Sequence, residues 1–146
     1  MDAPSNITLD WQTIQLIGQS KKSIKQYYEF YGYQQFANKI KNMIKNRIGN
    51  RKNVSLKEVE KSVIKSYFSN RLLIIDEVHN IRTDEGDIKS RDTIKYIELV
   101  IRHSKNLRLI LLTANPMYNI SSEIVWILNM LLLNDNRTLI SEKEMF

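Results

Sequence analysis

The chain has 146 residues, enough for one compact domain and too few for two nucleotide-binding lobes. Its 42% hydrophobic and 26% charged content argues against disorder, and the absence of cysteine excludes disulfides and thiolate metal sites. The net charge of +6 is uneven, with 13 basic against 5 acidic residues in 1–71 and 9 against 11 in 72–146. Residues 7–19 are weakly patterned, and Met1 to Asn6 lacks the basic and apolar regions of a signal peptide. Tyr27-Tyr28-Glu29-Phe30-Tyr31 is short and aromatic and predicts a strand, with Gly32 as its stop. Gln34 to Ile48 predicts a helix, because Phe36, Ile40, Ile44 and Ile48 recur every four residues and Gly49-Asn50 ends the pattern.

Ser55 predicts the start of a second helix, with Glu58 three residues on completing a capping box. Leu56, Val59, Val63, Ile64 and Tyr67 mark its apolar face, and Lys57, Lys61 and Lys65 form a basic row elsewhere. Leu72 to Ile75 is a strongly apolar strand. A polar loop at 83–87 leads to a helix over 91–103, with Ile94, Ile97 and Ile101 inward. Leu107 to Leu112 is the second strong strand, and Pro116 blocks further regular structure. A last helix, capped by Ser121 or Ser122, runs to about Leu133. It is apolar nearly all round, which predicts burial or a neighbouring domain. Interrupted by Asn129, it is too short to span a bilayer. Strands alternating with helices predict an α/β fold with a parallel sheet, both faces covered because the best strands are continuously apolar.

The chemistry lies at the ends of the two strong strands. Ligands gather at the C-terminal edge of a parallel sheet, where the first strand delivers Asp76-Glu77, followed by Val78-His79. Neighbours on an extended strand point to opposite faces, so two adjacent carboxylates take different tasks. One holds Mg2+, usually through water, and the other orients or deprotonates a water that attacks a phosphate. An exposed Asp-Glu at the start of a loop is the plain alternative. The second strand, ending Thr113-Ala114-Asn115-Pro116 about 34 residues on, favours the phosphate-hydrolysing reading. His79 is either a loop histidine with a local hydrogen bond or a link between this site and a partner lobe. Its distance in sequence from His103 argues against a metal-ligand role. Lys39, Lys41, Lys45, Arg47, Arg51 and Lys52 are candidates for contact with nucleic acid, although a solvated lysine-rich surface has the same composition.

Asp76-Glu77-Val78-His79 and Thr113-Ala114-Asn115 resemble motifs II and III of the superfamily-2 DExH helicases and translocases. The wider wording, Ile75 to Arg82 and Leu112 to Asn119, is similar to the helicase-like ATPases of large cytoplasmic DNA viruses. These include the poxvirus early transcription factor small subunit and its giant-virus relatives. Tyr28 to Ile40 and Trp126 to Arg137 resemble the same branch.

The resemblance implies a partial first RecA-like lobe over 21–140, with 1–20 undefined and 141–146 a tail. It implies ATP and Mg2+ as cofactors, Asp76 binding Mg2+, Glu77 activating water, and His79 contacting a second lobe. Thr113 and Asn115 would couple nucleotide state to nucleic acid, with Asn115 standing where motif III usually has Thr or Ser. Implied partners are nucleic acid, DNA ahead of RNA, the missing helicase segments or second lobe, and viral transcription subunits. The implied location is intracellular, in host cytoplasm or virion, with neither secretion nor membrane anchoring.

The family's phosphate loop, Gly-x-x-x-x-Gly-Lys-Ser/Thr, does not occur. Gly18-Gln19-Ser20-Lys21-Lys22-Ser23 lacks the second glycine and reads as a chance match. The resemblance places the phosphate-loop strand beside 107–112, so its loss would leave an exposed apolar edge. The reading is therefore the Mg2+-binding, water-activating part of a helicase ATPase, inactive alone. The competing reading is a non-catalytic remnant that binds nucleic acid or a transcription subunit.

Overall fold

A computed structural model describes residues 11–49, 55–81, 88–116 and 122–145, with side chains from residue 19 and, after the second gap, from residue 91. The chain divides into two units, the first ending at Tyr31 and the second beginning at Gly32. In the first unit, helix α1 spans Trp11–Tyr27. This corrects the expected strand at 27–31. The chain leaves the helix at Tyr27, and 28–31 are irregular. Tyr27, Tyr28 and Phe30 are exposed. Aromatic content favours a strand only when a neighbouring strand and a core face are there to receive it.

The second unit is mixed α/β. Helices α2 (Tyr33–Ile48), α3 (Leu56–Phe68) and α4 (Ile88–His103) pack on one another. Strand β1 (Leu72–Ile75) precedes α4, and β2 (Arg108–Leu111) follows it. The strands are parallel and in register, Leu72 opposite Arg108 through Ile75 opposite Leu111. Helix α5 (Ser122–Asn134) packs on α4 and β2, and a single helical turn, α6 (Glu142–Met145), lies in the expected tail.

The core forms where the apolar stripes meet. Ala37, Ile40 and Ile44 of α2 join Val63, Ile64 and Phe68 of α3 and Ile97, Val100 and Ile101 of α4. The Phe36 and Phe68 rings meet edge to face at 5.6 Å. Gly32 precedes α2, and its N–H donates to Gln35 Oε1 at 3.2 Å, half of a reciprocal cap because glycine has no side chain. Gly49 ends α2 at φ 53°, a conformation that costs an L side chain strain. The capping box expected at Ser55 is absent: Ser55 is the N-cap residue, but its side chain makes no capping bond. Leu56 is exposed and so does not belong to the buried face.

The sheet departs from expectation on one side. Leu73, Ile75, Leu109 and Leu111 face the helical core. Leu72, Ile74 and Ile110 on the opposite face are 41–49% exposed, as is Leu112 just beyond β2. Continuous apolarity therefore does not report two covered faces here. Helix α5 buries Val125, Ile127 and Met130, while Leu131 is exposed. Asn129, which interrupts its apolar run, exchanges two hydrogen bonds with the Ile140 backbone, at 2.8 and 2.9 Å. No described helix is long and apolar enough to cross a membrane.

The strand pair is pinned where it begins. Asn70 and Asn106 both adopt left-handed φ values, 57° and 52°, which asparagine tolerates better than most residues. The Asn106 amide donates to Asn70 Oδ1 at 3.0 Å, and Asn70 N–H donates to the Lys105 carbonyl at 2.9 Å.

Candidate phosphate-hydrolysing site at the strand ends

Past Ile75 the ladder continues by two bonds, Leu112 N–H to the Ile75 carbonyl at 2.9 Å and Val78 N–H to the Leu112 carbonyl at 3.0 Å. Between them the chain turns. Glu77 has φ 51° and ψ 47°, the left-handed region, and Val78–Asn80 forms one 3-10 turn. Val78 and Ile81 are buried, so the turn is anchored in the core while Asp76 and Glu77 stay exposed. The alternation argument for the two carboxylates is thereby corrected. Both lie beyond the extended strand, in a turn where Glu77 is left-handed, so the pleat's alternation does not govern them.

The turn brings three of the predicted residues together. His79 Nδ1 lies 2.8 Å from Thr113 Oγ1 and 3.3 Å from Glu77 Oε2. Thr113 Oγ1 also accepts from Asn115 N–H at 3.2 Å. With Nδ1 unprotonated, the Thr113 hydroxyl donates to it. With Nδ1 protonated, the ring donates to Thr113 or Glu77, and a doubly protonated ring forms an ion pair with Glu77. Asp76 Oδ1 accepts from Glu77 N–H at 3.1 Å. Asn115 joins the cluster through its backbone, and its residue is exposed.

Tyr33, at the start of α2, is a site residue that sequence reasoning missed. Its hydroxyl bonds to the Asp76 carbonyl and, at 2.9 Å, to the Glu77 carbonyl. The separation of 43 positions between Tyr33 and Asp76 carries no signal of this. Burial raises the Tyr33 pKa, and the neighbouring Asp76 and Glu77 charges raise it further.

Hard carboxylate oxygens in an exposed turn fit Mg2+, which keeps several waters and takes few protein ligands. Among the described residues no three His, Cys, Asp or Glu side chains converge as a metal cage, so phosphate oxygens and water would complete the shell. Residues 18–23, the superficial phosphate-loop match, lie within α1. Amides committed to helix bonds cannot cradle a phosphate.

The described basic candidates have different surroundings. Lys39 Nζ sits 4.5 Å above the Tyr67 ring and 2.5 Å from its hydroxyl, with Arg71 also 4.5 Å from that ring. Lys41 pairs with Asp92 at 3.7 Å. Lys45 and Arg47 are exposed. Arg51 and Lys52, like the 83–87 loop, lie outside the described residues.

No protein-family profile and no solved structure matches the chain. It is similar to two proteins of Acanthamoeba polyphaga mimivirus, each named "Putative ATP-dependent RNA helicase", L377 and R563. The first is 32% identical over 120 residues, which cover 74% of this chain and 10% of that protein. The second is 29% identical over 119 residues, which cover 82% of this chain and 16% of that protein. This chain therefore spans less than a fifth of the length of either relative. Over most of its own length it is similar to these two mimivirus proteins named as helicases.

Proposed function

We propose that the chain is part of the first RecA-like lobe of a superfamily-2 helicase-like ATPase, carrying the Mg2+-binding and water-activating half of its ATP site. The observation that supports this most is the joining of Glu77, His79 and Thr113 at the exit of two adjacent parallel strands. Two unrelated apolar runs have no reason to place those three groups in contact. Asp76 would hold Mg2+. When bound, Mg2+ neutralises charge on the phosphates. Glu77 orients and deprotonates the attacking water. Tyr33 fixes the backbone from which both carboxylates project. His79 and Thr113 link the catalytic turn to the segment after β2, so a change at Glu77 reaches Asn115. The phosphate grip comes from elsewhere in the protein.

His79 is the reporter for a test. Adding Mg2+ and ATP to the chain should shift the His79 imidazole resonance, and Asp76→Asn should abolish that shift. Turnover should be absent. A silent His79 at saturating ligand would remove the assignment, and substantial hydrolysis by the chain would show that the phosphate grip had been misplaced. The relatives' names specify RNA, whereas the resemblance to viral transcription ATPases implies DNA. Competition between the two nucleic acids decides which is preferred.

A further inference from the structure

At the opposite end of the strands lies a cavity of about 630 Å3, lined by Lys61, Lys65, Arg102, His103, Ser104 and Lys105, with Leu107 and three asparagines, Asn106, Asn134 and Asn136. It forms where α3, the last turn of α4, the start of β2 and the end of α5 meet. Four of the lining side chains carry full positive charge. Among the described residues, none of the four has a carboxylate within ion-pair distance. The nearby acids are otherwise engaged or stand beside the lining. Glu60 pairs with Lys95 at 3.5 Å, and Asp135 adjoins Asn134. The Ser104 hydroxyl is buried within the lining and has no hydrogen-bond partner.

A buried hydroxyl without a partner is costly, and four cations around one cavity repel one another. The C-terminal dipole of α4 offsets only about half a charge. His103 registers the same field: burial, then Lys61 and Arg102, lower its pKa, and the smaller effect of Glu60 opposes them. One bound anion would neutralise the cations, while the Ser104 hydroxyl stays beneath the lining, closed off from solvent. The walls are ready to receive it. Lys105 N–H donates to Ser69 Oγ at 3.0 Å, and Asn106 is held by Asn70.

We propose that this cavity binds phosphate groups, and that its occupant is the sugar–phosphate backbone of a nucleic-acid strand. Two features favour a strand over a lone anion. The cavity lies among exposed side chains, Lys61, Lys65, Arg102 and Lys105, and the exposed row Lys57, Lys61, Lys65 carries positive charge beyond it along α3. No Phe, Tyr or Trp lines it, so the contacts fall mainly on the backbone and binding tolerates many sequences. The asparagine amides can donate to phosphate and exchange hydrogen bonds with ribose. This site is separate from Asp76 and Glu77 and does not depend on whether they hydrolyse ATP.

The chain has two histidines, one at each end of the strands, so NMR separates the two sites. A single-stranded RNA 12-mer should shift the His103 resonance and raise its pKa. Inorganic pyrophosphate, the second probe, should move His103 more weakly. Lys61→Glu with Lys65→Glu, both exposed and so compatible with folding, should weaken RNA binding by about tenfold or more at 0.1 M salt and reduce the log–log salt slope by about 1.4. Lys22→Glu with Lys143→Glu, the charge-matched control, should change the slope little. Pyrophosphate binding at His103 without RNA binding there would overturn the strand as occupant. An unmoved His103 with both probes, or undiminished RNA affinity in the Lys61/Lys65 variant, would overturn the site. A silent His79 bears only on the ATP-site proposal.

Discussion

Tyr33 holds the carboxylate turn through two backbone carbonyls, so its hydroxyl matters more than its ring. Tyr33→Phe should lower stability by about 1 kcal/mol while leaving the core packed. The sign of the pH dependence follows from the raised Tyr33 pKa. The protonated phenol favours the folded chain. That contribution is complete below the unfolded value of about 10 and is lost as pH climbs through the higher folded value. Melting curves should therefore show the wild-type advantage over Tyr33→Phe at pH 8 shrinking above pH 10; a constant gap would exclude the titration. At this scale the sequence exposed Asp76, Glu77, His79 and Thr113 because each follows closely on an apolar run. Tyr33 stayed hidden because its partners are backbone atoms 43 positions away, and no side-chain pattern encodes them.

The elements divide by how much they depend on distant chain. Helix α2 was legible because its four-residue stripe is local and is the surface that is buried. Strand β1 matches its expected span because four apolar residues meet a turn on either side. The strand expected at 27–31 failed because a ladder needs a partner and the described chain supplies none there. The capping box at Ser55 failed because a motif lists compatible residues without fixing their rotamers. Two substitutions in α3 separate these cases. Ser55→Ala should change stability by less than about 0.5 kcal/mol, below the usual cost of removing a working cap. Ile64→Ala, at a side chain with 0% exposure, should cost about 2–5 kcal/mol. Urea unfolding of both variants checks the pair, and a Ser55 effect rivalling that of Ile64 would restore the capping box.

For the second unit, the uncovered sheet face is the main departure from the sequence reading. Apolar runs reveal which residues prefer burial, but not which segment covers them. Leu72, Ile74, Ile110 and Leu112 form a contiguous apolar surface of the kind that drives association. Leu72→Thr with Ile110→Thr should reduce self-association in sedimentation velocity and leave the melting temperature within a few degrees. Unchanged sedimentation would show that the face is not sticky. The in-register strand pair has a mechanical consequence as well. Between the Asn70–Asn106 clasp and the His79–Thr113 contact the ribbon is four residues long, roughly 13 Å. So short a ribbon, fastened at both ends, cannot slide and has little slack to absorb torsion. A displacement imposed at the asparagine end would therefore be passed along the strands towards the contact between threonine and histidine.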